Sequence, residues 1–519
     1  MSVTFSGMKH FYTSQHFYYP DKVLFNLYNS LKTKPFVILS GVSGSGKSKI
    51  INLFAEYYSN ELSYSENYEL VSVKPNWTDS RALFGYHNII DDTYSITPVI
   101  KLFLRALQNP DKPYFLVLDE MNLAKVEHYF SDFLSVIESR KYEYKRVKNT
   151  EIDIQSIKSS LQGSISLSQA IILSALQLGT TGFESIETYR NTPISQWWLS
   201  NSNSQNPEAQ YRTELNQGRK GEFQPNGYKK DGERLAGRAF WAEVQGDSYK
   251  LKTTHEMDAR TRSDFQKIKE IYDRYSSQTP DSFEEIVTLK QDKIVLHNMN
   301  SPLKTEENQV EYSETLYSET NGYYVPSQIE IPLNVFVVGT VNIDETTNVF
   351  SPKVLDRSNV IEFNEIDVLG TYGFKDEDES EIETEMLSIN NDSLNLVVSV
   401  ATTQDTKWFI DEYPLQFKIL YNLFKKLKAE NKHFGYRVFN EIALYVKNYV
   451  AHAPSDVDVA LDNQILQKVL PKLNGDFEEL EEVLITLKES IPDTYLNSTK
   501  KLDEMIKRLQ STGYVTFIK

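Results

Sequence analysis

The 519-residue chain contains no cysteine. That excludes disulfides, thiolate zinc sites, iron–sulfur clusters and a cysteine nucleophile. No apolar run of about 18 residues interrupts it, so no helix is expected to span a membrane. Met1 to Lys9 lacks the charged stretch followed by an apolar one that marks a secretory signal. The expectation is a soluble, cytoplasmic protein. Positive charge is in deficit: 55 Lys and Arg stand against 72 Asp and Glu, a formal net charge of -17. No overall field draws such a molecule to nucleic acid, and a DNA contact would need a local patch. No repeat of fixed period is present either. What remains is ordinary globular material, 40% hydrophobic and 24% charged, long enough for several structural units.

Texture divides the chain into four stretches. Residues 1–145 alternate strand-like apolar runs with helical patterns, the mark of an α/β arrangement with a parallel sheet. Residues 146–324 are polar and rich in Ser, Asn, Gln and Gly, and residues 325–365 return to a strand-like run. Residues 366–519 are mostly helical by period, as Phe417, Leu420, Leu423, Phe424 and Leu427 show. The acidic run from Asp376 to Glu385 fits a solvated loop.

The most specific signal is Gly41-Val-Ser-Gly-Ser-Gly-Lys-Ser48, which matches G-x-x-x-x-G-K-[ST] in full. The apolar run Phe36–Leu39 precedes it, and Ile50, Leu53, Phe54 and Tyr57 follow at helical spacing. Strand, glycine-rich loop and helix together make a phosphate cradle. Gly41, Gly44, Ser45 and Gly46 let backbone N–H groups close on phosphate oxygens at the positive end of the helix. Lys47 is expected to reach the terminal phosphates and Ser48 to hold Mg²⁺.

A second apolar strand, Tyr114–Leu118, ends in Asp119-Glu120. Such a pair supplies a metal-side acid, Asp119, and a group that polarises the attacking water, Glu120. A third strand ends in Asn342, whose amide could hold that water beside a terminal phosphate; an ordinary turn asparagine is the competing reading. Beyond it, a short helix ends in Asp356-Arg357 before a last strand.

This order of motifs resembles the AAA+ ATPases. More narrowly, it resembles the McrB-type motor subunit of modification-dependent, McrBC-like restriction systems. The matching segments include Tyr28–Phe36, Val71–Asp79, Leu83–Tyr86, Asp119–Phe130, Val338–Asp344, Phe434–Glu441 and Gln467–Gly475. The resemblance departs at Leu123 and at Ile343-Asp-Glu-Thr346, where the best-known motor subunit carries arginines, and the separate DNA-reading domain of that protein has no counterpart. It implies an AAA+ P-loop core interrupted by a large α+β insertion and followed by a helical lid. It also implies hydrolysis of ATP, with GTP left open, and Mg²⁺. Asn342 would take the sensor 1 role, and Arg357 would act in trans on a neighbour's nucleotide. Arg437 of the lid would touch the γ-phosphate or brace a helix contact. The assembly implied is a ring, a hexamer, serving DNA restriction and antiviral defence with an McrC-like nuclease partner. A protein-remodelling motor, as in MoxR-like or dynein-related relatives, and a nucleotide-switched scaffold are the competing classes.

The polar middle lies between Asp119 and Asn342, which are 223 positions apart. From Arg212 to Arg238 it holds seven basic and four acidic residues, a local excess of three positive charges. Arg219, Lys220, Lys229 and Lys230, with Trp197, Trp198 and Trp241, could contact double-stranded DNA through phosphate pairing and base stacking. An aromatic core with a solvated basic loop, or a protein-docking surface, explains the same residues. Trp77, Asp79 and the stretch His87–Tyr94 divide similarly between a packed tryptophan with a surface loop and a segment lining a ring's pore.

Overall fold

A computed structural model describes residues 3–161, 164–178, 184–202, 242–245, 248–251, 259–305, 316–318, 322–343, 348–363, 389–390 and 392–518. The chain forms two compact units, one from Met1–Arg140 with Gln291–Lys519, the other from Lys141–Lys290.

The first unit is organised by a five-stranded sheet. Its strands are β1 (Phe36–Gly41), β2 (Tyr68–Ser72), β3 (Tyr114–Asp119), β4 (Val335–Asn342) and β5 (Asn359–Glu362). Their spatial order is β5-β1-β4-β3-β2, and every pairing is parallel. The three inner strands are continuous apolar runs buried almost throughout, as a sheet covered on both faces requires. Strand β2 lies at the edge and is only half-buried.

Helices α1 (Phe5–Ser14), α2 (Asp21–Thr33), α3 (Lys47–Leu62), α4 (Pro98–Gln108) and α5 (Ser131–Ser139) belong to the same unit. Helix α2 buries Leu24, Phe25, Leu27, Tyr28 and Leu31, an i, i+3, i+4, i+7 stripe. Thr97 caps α4 by accepting from the Ile100 N–H, with Pro98 at the first helical position. Between α3 and α4 a small hairpin pairs Tyr86–Asn88 with Thr93–Ser95. Its tip leaves Ile89 and Ile90 83% and 93% exposed. Trp77, by contrast, packs edge-on against Tyr129 at 5.2 Å, and Asp79 pairs with Arg81.

After β4 come α6 (Pro352–Asp356) and then the lid helices α7 (Thr403–Glu412), α8 (Pro414–Ala429), α9 (Tyr436–Val450), α10 (Val457–Gln464), α11 (Phe477–Lys488) and α12 (Leu496–Thr512). Helix α9 lies on α2. Phe25 meets Tyr449 at 4.8 Å, and the Tyr445 hydroxyl donates to Asn26 at 2.7 Å. A π-helical turn, Ile465–Val469, continues α10. It directs Gln467 to Asn26 and Ser30 at 2.6 and 3.1 Å.

The second unit is α+β. Strands Lys141–Ile152 and Ser276–Lys290 form a long antiparallel pair, with a register shift between Gln278 and Phe283. Helices Ile154–Ser160, Leu167–Leu178, Pro193–Asn201 and Ala259–Tyr275 enclose a separate core of Ile157, Ile171, Leu173, Ile194, Trp198, Phe265 and Ile268. The polar texture runs on to residue 324, but the compact unit ends at Lys290. Residues beyond it return to the first unit because Ile294, Leu303, Tyr323 and Val325 bury in that unit's core.

Candidate nucleotide site

Strands β1, β3 and β4 are neighbours, so their carboxyl ends converge on one edge of the sheet. That is where an open parallel sheet presents its ligand crevice. At the tip of β1 the loop of Gly41 to Ser48 turns into α3. Gly44 and Gly46 adopt φ of +79° and +89°, conformations open to glycine at little cost. A Cβ at Gly46 would also come within 2.9 Å of the Tyr19 hydroxyl. The Ser45 N–H closes the turn on the Val42 carbonyl at 3.4 Å. The Lys47 ammonium is buried and donates to the carbonyls of Gly41 and Val42 at 2.9 and 2.6 Å, which centres it over the loop.

Ser48, the second residue of α3, donates its hydroxyl to Asp119 Oδ1 at 2.8 Å. The same carboxylate oxygen accepts from the Thr340 hydroxyl of β4 at 2.7 Å. The Thr340 oxygen in turn accepts the Glu120 N–H at 3.0 Å, and the Asn342 amide donates to Glu120 Oε1 at 3.1 Å. Five residues from three chain segments thus form one hydrogen-bonded row, with the Glu120 backbone N–H as the link between Thr340 and Glu120. Glu120 sits at φ +53°, ψ +50°, in the left-handed region, which costs a non-glycine residue about 1–3 kcal/mol. The turn carries its carboxylate off the strand axis toward Asn342. A hydroxyl and a carboxylate side by side are the hard oxygen donors that suit Mg²⁺, which takes its other ligands from phosphates and water. Ser48 and Asp119 would hold the ion, whose chemistry is to neutralise developing phosphate charge.

Two contributors escaped the sequence reading. Thr340 is two residues before Asn342 on β4, so strand alternation places both on one face; that period was the available signal. Tyr19 donates weakly to the Gly46 carbonyl at 3.4 Å, and burial pushes its phenol up to about 12. No local pattern marks it.

Arg357 lies at the other edge of the sheet, just before β5, whose Asn359 pairs with Val37 near the start of β1. A strand the length of β1, at about 3.3 Å per residue, puts roughly 17 Å between that edge and the phosphate loop. Arg357 pairs with Glu138 of α5. Arg437 pairs with the same Glu138, and lies 3.9 and 3.7 Å from Asp356 and Glu441. The structure therefore sets Arg437 beside Arg357 and not beside Lys47; of the two placements left open for it, this is the helix contact and not the one at its own phosphate loop. The reason is the seating of α9 on α2, which brings the first turn of α9 to the amino-terminal edge of the sheet.

The loop carrying Arg357 is gripped from below. Lys34 and Lys468 both donate to the Asp356 carbonyl at 2.9 Å, and Lys472 reaches its carboxylate at 2.5 Å. Glu441 lies between Lys34 at 2.5 Å and Lys468 at 2.8 Å. Burial pushes the Glu441 carboxyl up, but the two ammonium groups more than reverse this and leave it at about 2. Burial and the neighbouring Arg437 lower the Arg357 guanidinium.

In the second unit, Trp198 is buried and donates its indole N–H to the Ile165 carbonyl at 3.2 Å. Its ring is core, not a free stacking surface, which corrects its reading as a DNA contact. Trp197 is partly exposed, with the Lys158 ammonium 5.9 Å from its ring centre. Arg219, Lys220, Lys229, Lys230, Trp241, the run Asp376–Glu385 and Asp344–Thr346 lie outside the described residues. Among the described residues no helix is long and apolar enough to cross a membrane.

Residues 36–168 match the AAA domain family, dynein-related subfamily. Residues 403–514, which span the lid helices, match a domain of unknown function (DUF8727). No curated protein is similar to the chain. The chain thus carries an AAA domain, a parallel sheet flanked by helices with a helical carboxyl-terminal region, and the P-loop nucleoside triphosphatase chemistry that this implies.

Proposed function

We propose that the chain is an AAA+ ATPase that works as a ring, a hexamer, and drives DNA restriction or antiviral defence with a separate nuclease subunit. The observation that carries the hydrolytic part is the row Ser48–Asp119–Thr340–Glu120–Asn342 beside Lys47. The loop N–H groups and Lys47 bind the phosphates. Glu120 takes the proton of the attacking water, and Asn342 fixes the orientation of that carboxylate. Arg357 stabilises charge on a phosphoryl group bound to the next subunit, because its own phosphate loop lies at the opposite edge of the sheet. The restriction role rests on the motif segments that resemble the McrB-type motor.

A second reading, a remodelling ATPase acting on a protein client, draws support from two findings. The matching AAA family is described as dynein-related. The hairpin Tyr86–Ser95 that carries the exposed tip Ile89-Ile90 holds no Lys or Arg, and Asp91-Asp92 adjoin the tip. Apolar tips flanked by carboxylates suit protein better than phosphate backbone.

Steady-state hydrolysis of ATP and of GTP, with and without double-stranded DNA, separates the readings. The expected result is turnover in the parent, stimulated by DNA, and none in Lys47→Ala. Turnover indifferent to DNA but stimulated by an unfolded protein would overturn the restriction role in favour of remodelling.

A further inference from the structure

The hydrolysis reading assigns the carboxylates Asp119 and Glu120 but leaves open what holds them apart and aimed. The ladder between β3 and β4 stops at Leu118 and Gly339. Two residues beyond Leu118, the Glu120 N–H has left the strand direction and finds the Thr340 hydroxyl in place of a backbone carbonyl. That hydroxyl is buried, and its hydrogen-bond polarity is fixed. Its oxygen accepts from an amide N–H, which can only donate, so its hydrogen must go to Asp119 Oδ1. The same Asp119 oxygen also accepts from Ser48.

We propose that Thr340 is the positioning residue of this site: one hydroxyl fixes the Asp119 carboxylate toward Ser48 and holds Glu120 in the left-handed turn that brings it to Asn342. The inference rests on the hydrolysis reading above and deepens it. Thr340 is buried, and its hydroxyl's partners, Asp119 and Glu120, are both protein groups. It acts through the Asp119 carboxylate on the metal side and through the Glu120 backbone N–H on the water side. It is well placed for that because β4 is flanked by β1, which leads into the phosphate loop, and by β3, which ends in the carboxylates. Its γ-methyl contributes nothing to either bond, so the assignment is to the hydroxyl alone. Groups that orient a metal ligand typically alter metal affinity or activity by about 10- to 100-fold when removed.

The test uses the full chain and three proteins: parent, Thr340→Val and Thr340→Ser. Valine keeps the volume and removes the hydroxyl; serine keeps the hydroxyl and removes the methyl. Each is assayed for kcat, for KM of the nucleotide, and for the Mg²⁺ concentration giving half-maximal turnover. Thermal melting reports folding. The expected result is a 10- to 100-fold loss of kcat in Thr340→Val, a raised Mg²⁺ requirement, and a nucleotide KM within about threefold of the parent. Thr340→Ser should stay within about threefold on all three measures. A folded Thr340→Val that turns over like the parent overturns the assignment. So does an equal loss in valine and serine variants, which would make the methyl's packing the decisive feature. A parent that hydrolyses neither ATP nor GTP overturns the hydrolysis reading itself, and the inference falls with it.

Discussion

The two edges of the parallel sheet are made of different materials. At the carboxyl-terminal edge, neutral hydroxyls and an amide connect two carboxylates in a row, each member within two residues of a strand end or a helix start. At the amino-terminal edge, Arg357 is held in a network of ions drawn from the end of α2, from α5, from the lid helix α9 and from the turns that follow α10. The first edge is short-range in sequence apart from strand pairing. The second is assembled from positions as distant as Lys34 and Lys472. The contrast has a physical basis. Phosphate chemistry needs small donors at the tips of strands, where backbone N–H groups are free to point outward. The Arg357 loop instead has a stiff mount, made of buried ion pairs with backbone carbonyl contacts. Because Lys468 and Lys472 come from the lid, the lid sets where Arg357 stands.

The strongest way to sharpen this comparison is to remove the charge at the second edge. Arg357→Ala should lower turnover by roughly 10³- to 10⁵-fold at protein concentrations where rings form. Mixed with Lys47→Ala chains, it should regain turnover, since each variant supplies the edge the other lacks. A mixture that co-assembles and stays inactive would show that Arg357 does not serve a neighbouring site.

Next in size is the mount. Glu441→Gln leaves Lys34 and Lys468 without their shared carboxylate, and should cost about 3–5 kcal/mol of unfolding free energy. Glu441 is held at about 2 against an ordinary 4.5. A depressed carboxyl stabilises the fold above its unfolded value and loses that contribution as pH falls through its folded value. Denaturant melts of parent and variant should therefore differ most above pH 4.5 and converge between pH 4.5 and 2. A constant difference across that window would place the stabilisation elsewhere.

The smallest effect is expected at Glu138, which is 38% exposed. Exposed pairs contribute little, so Glu138→Gln should change stability by less than about 1 kcal/mol, and less still at high salt. A larger loss in thermal melts would mean that the guanidinium pair is part of the mount and not merely resting on it.

Much of the first edge was legible in the chain. The strand-loop-helix around Lys47, the apolar run ending in Asp119-Glu120 and the strand ending in Asn342 each show their chemistry within about ten residues. Thr340 could have been read from strand alternation. The second edge was not legible. The pattern around Arg437 left a phosphate contact and a helix brace equally open, and nothing local records that α9 seats on α2 and turns it toward Glu138. Trp198 stands beside Trp197 in an unremarkable polar stretch, and only the packing of four helices decides that one ring is core and the other partly open.

By itself, then, the sequence determined the strands, the phosphate loop and the residues that meet at the strand tips, because backbone propensity, apolar period and glycine conformation act over a few residues. The tertiary structure alone decided which charges surround Arg357, where the inserted unit closes at Lys290, and that a single threonine hydroxyl links the Asp119 carboxylate to the Glu120 backbone N–H. Those outcomes depend on contacts between segments tens to hundreds of positions apart, and no local preference encodes them.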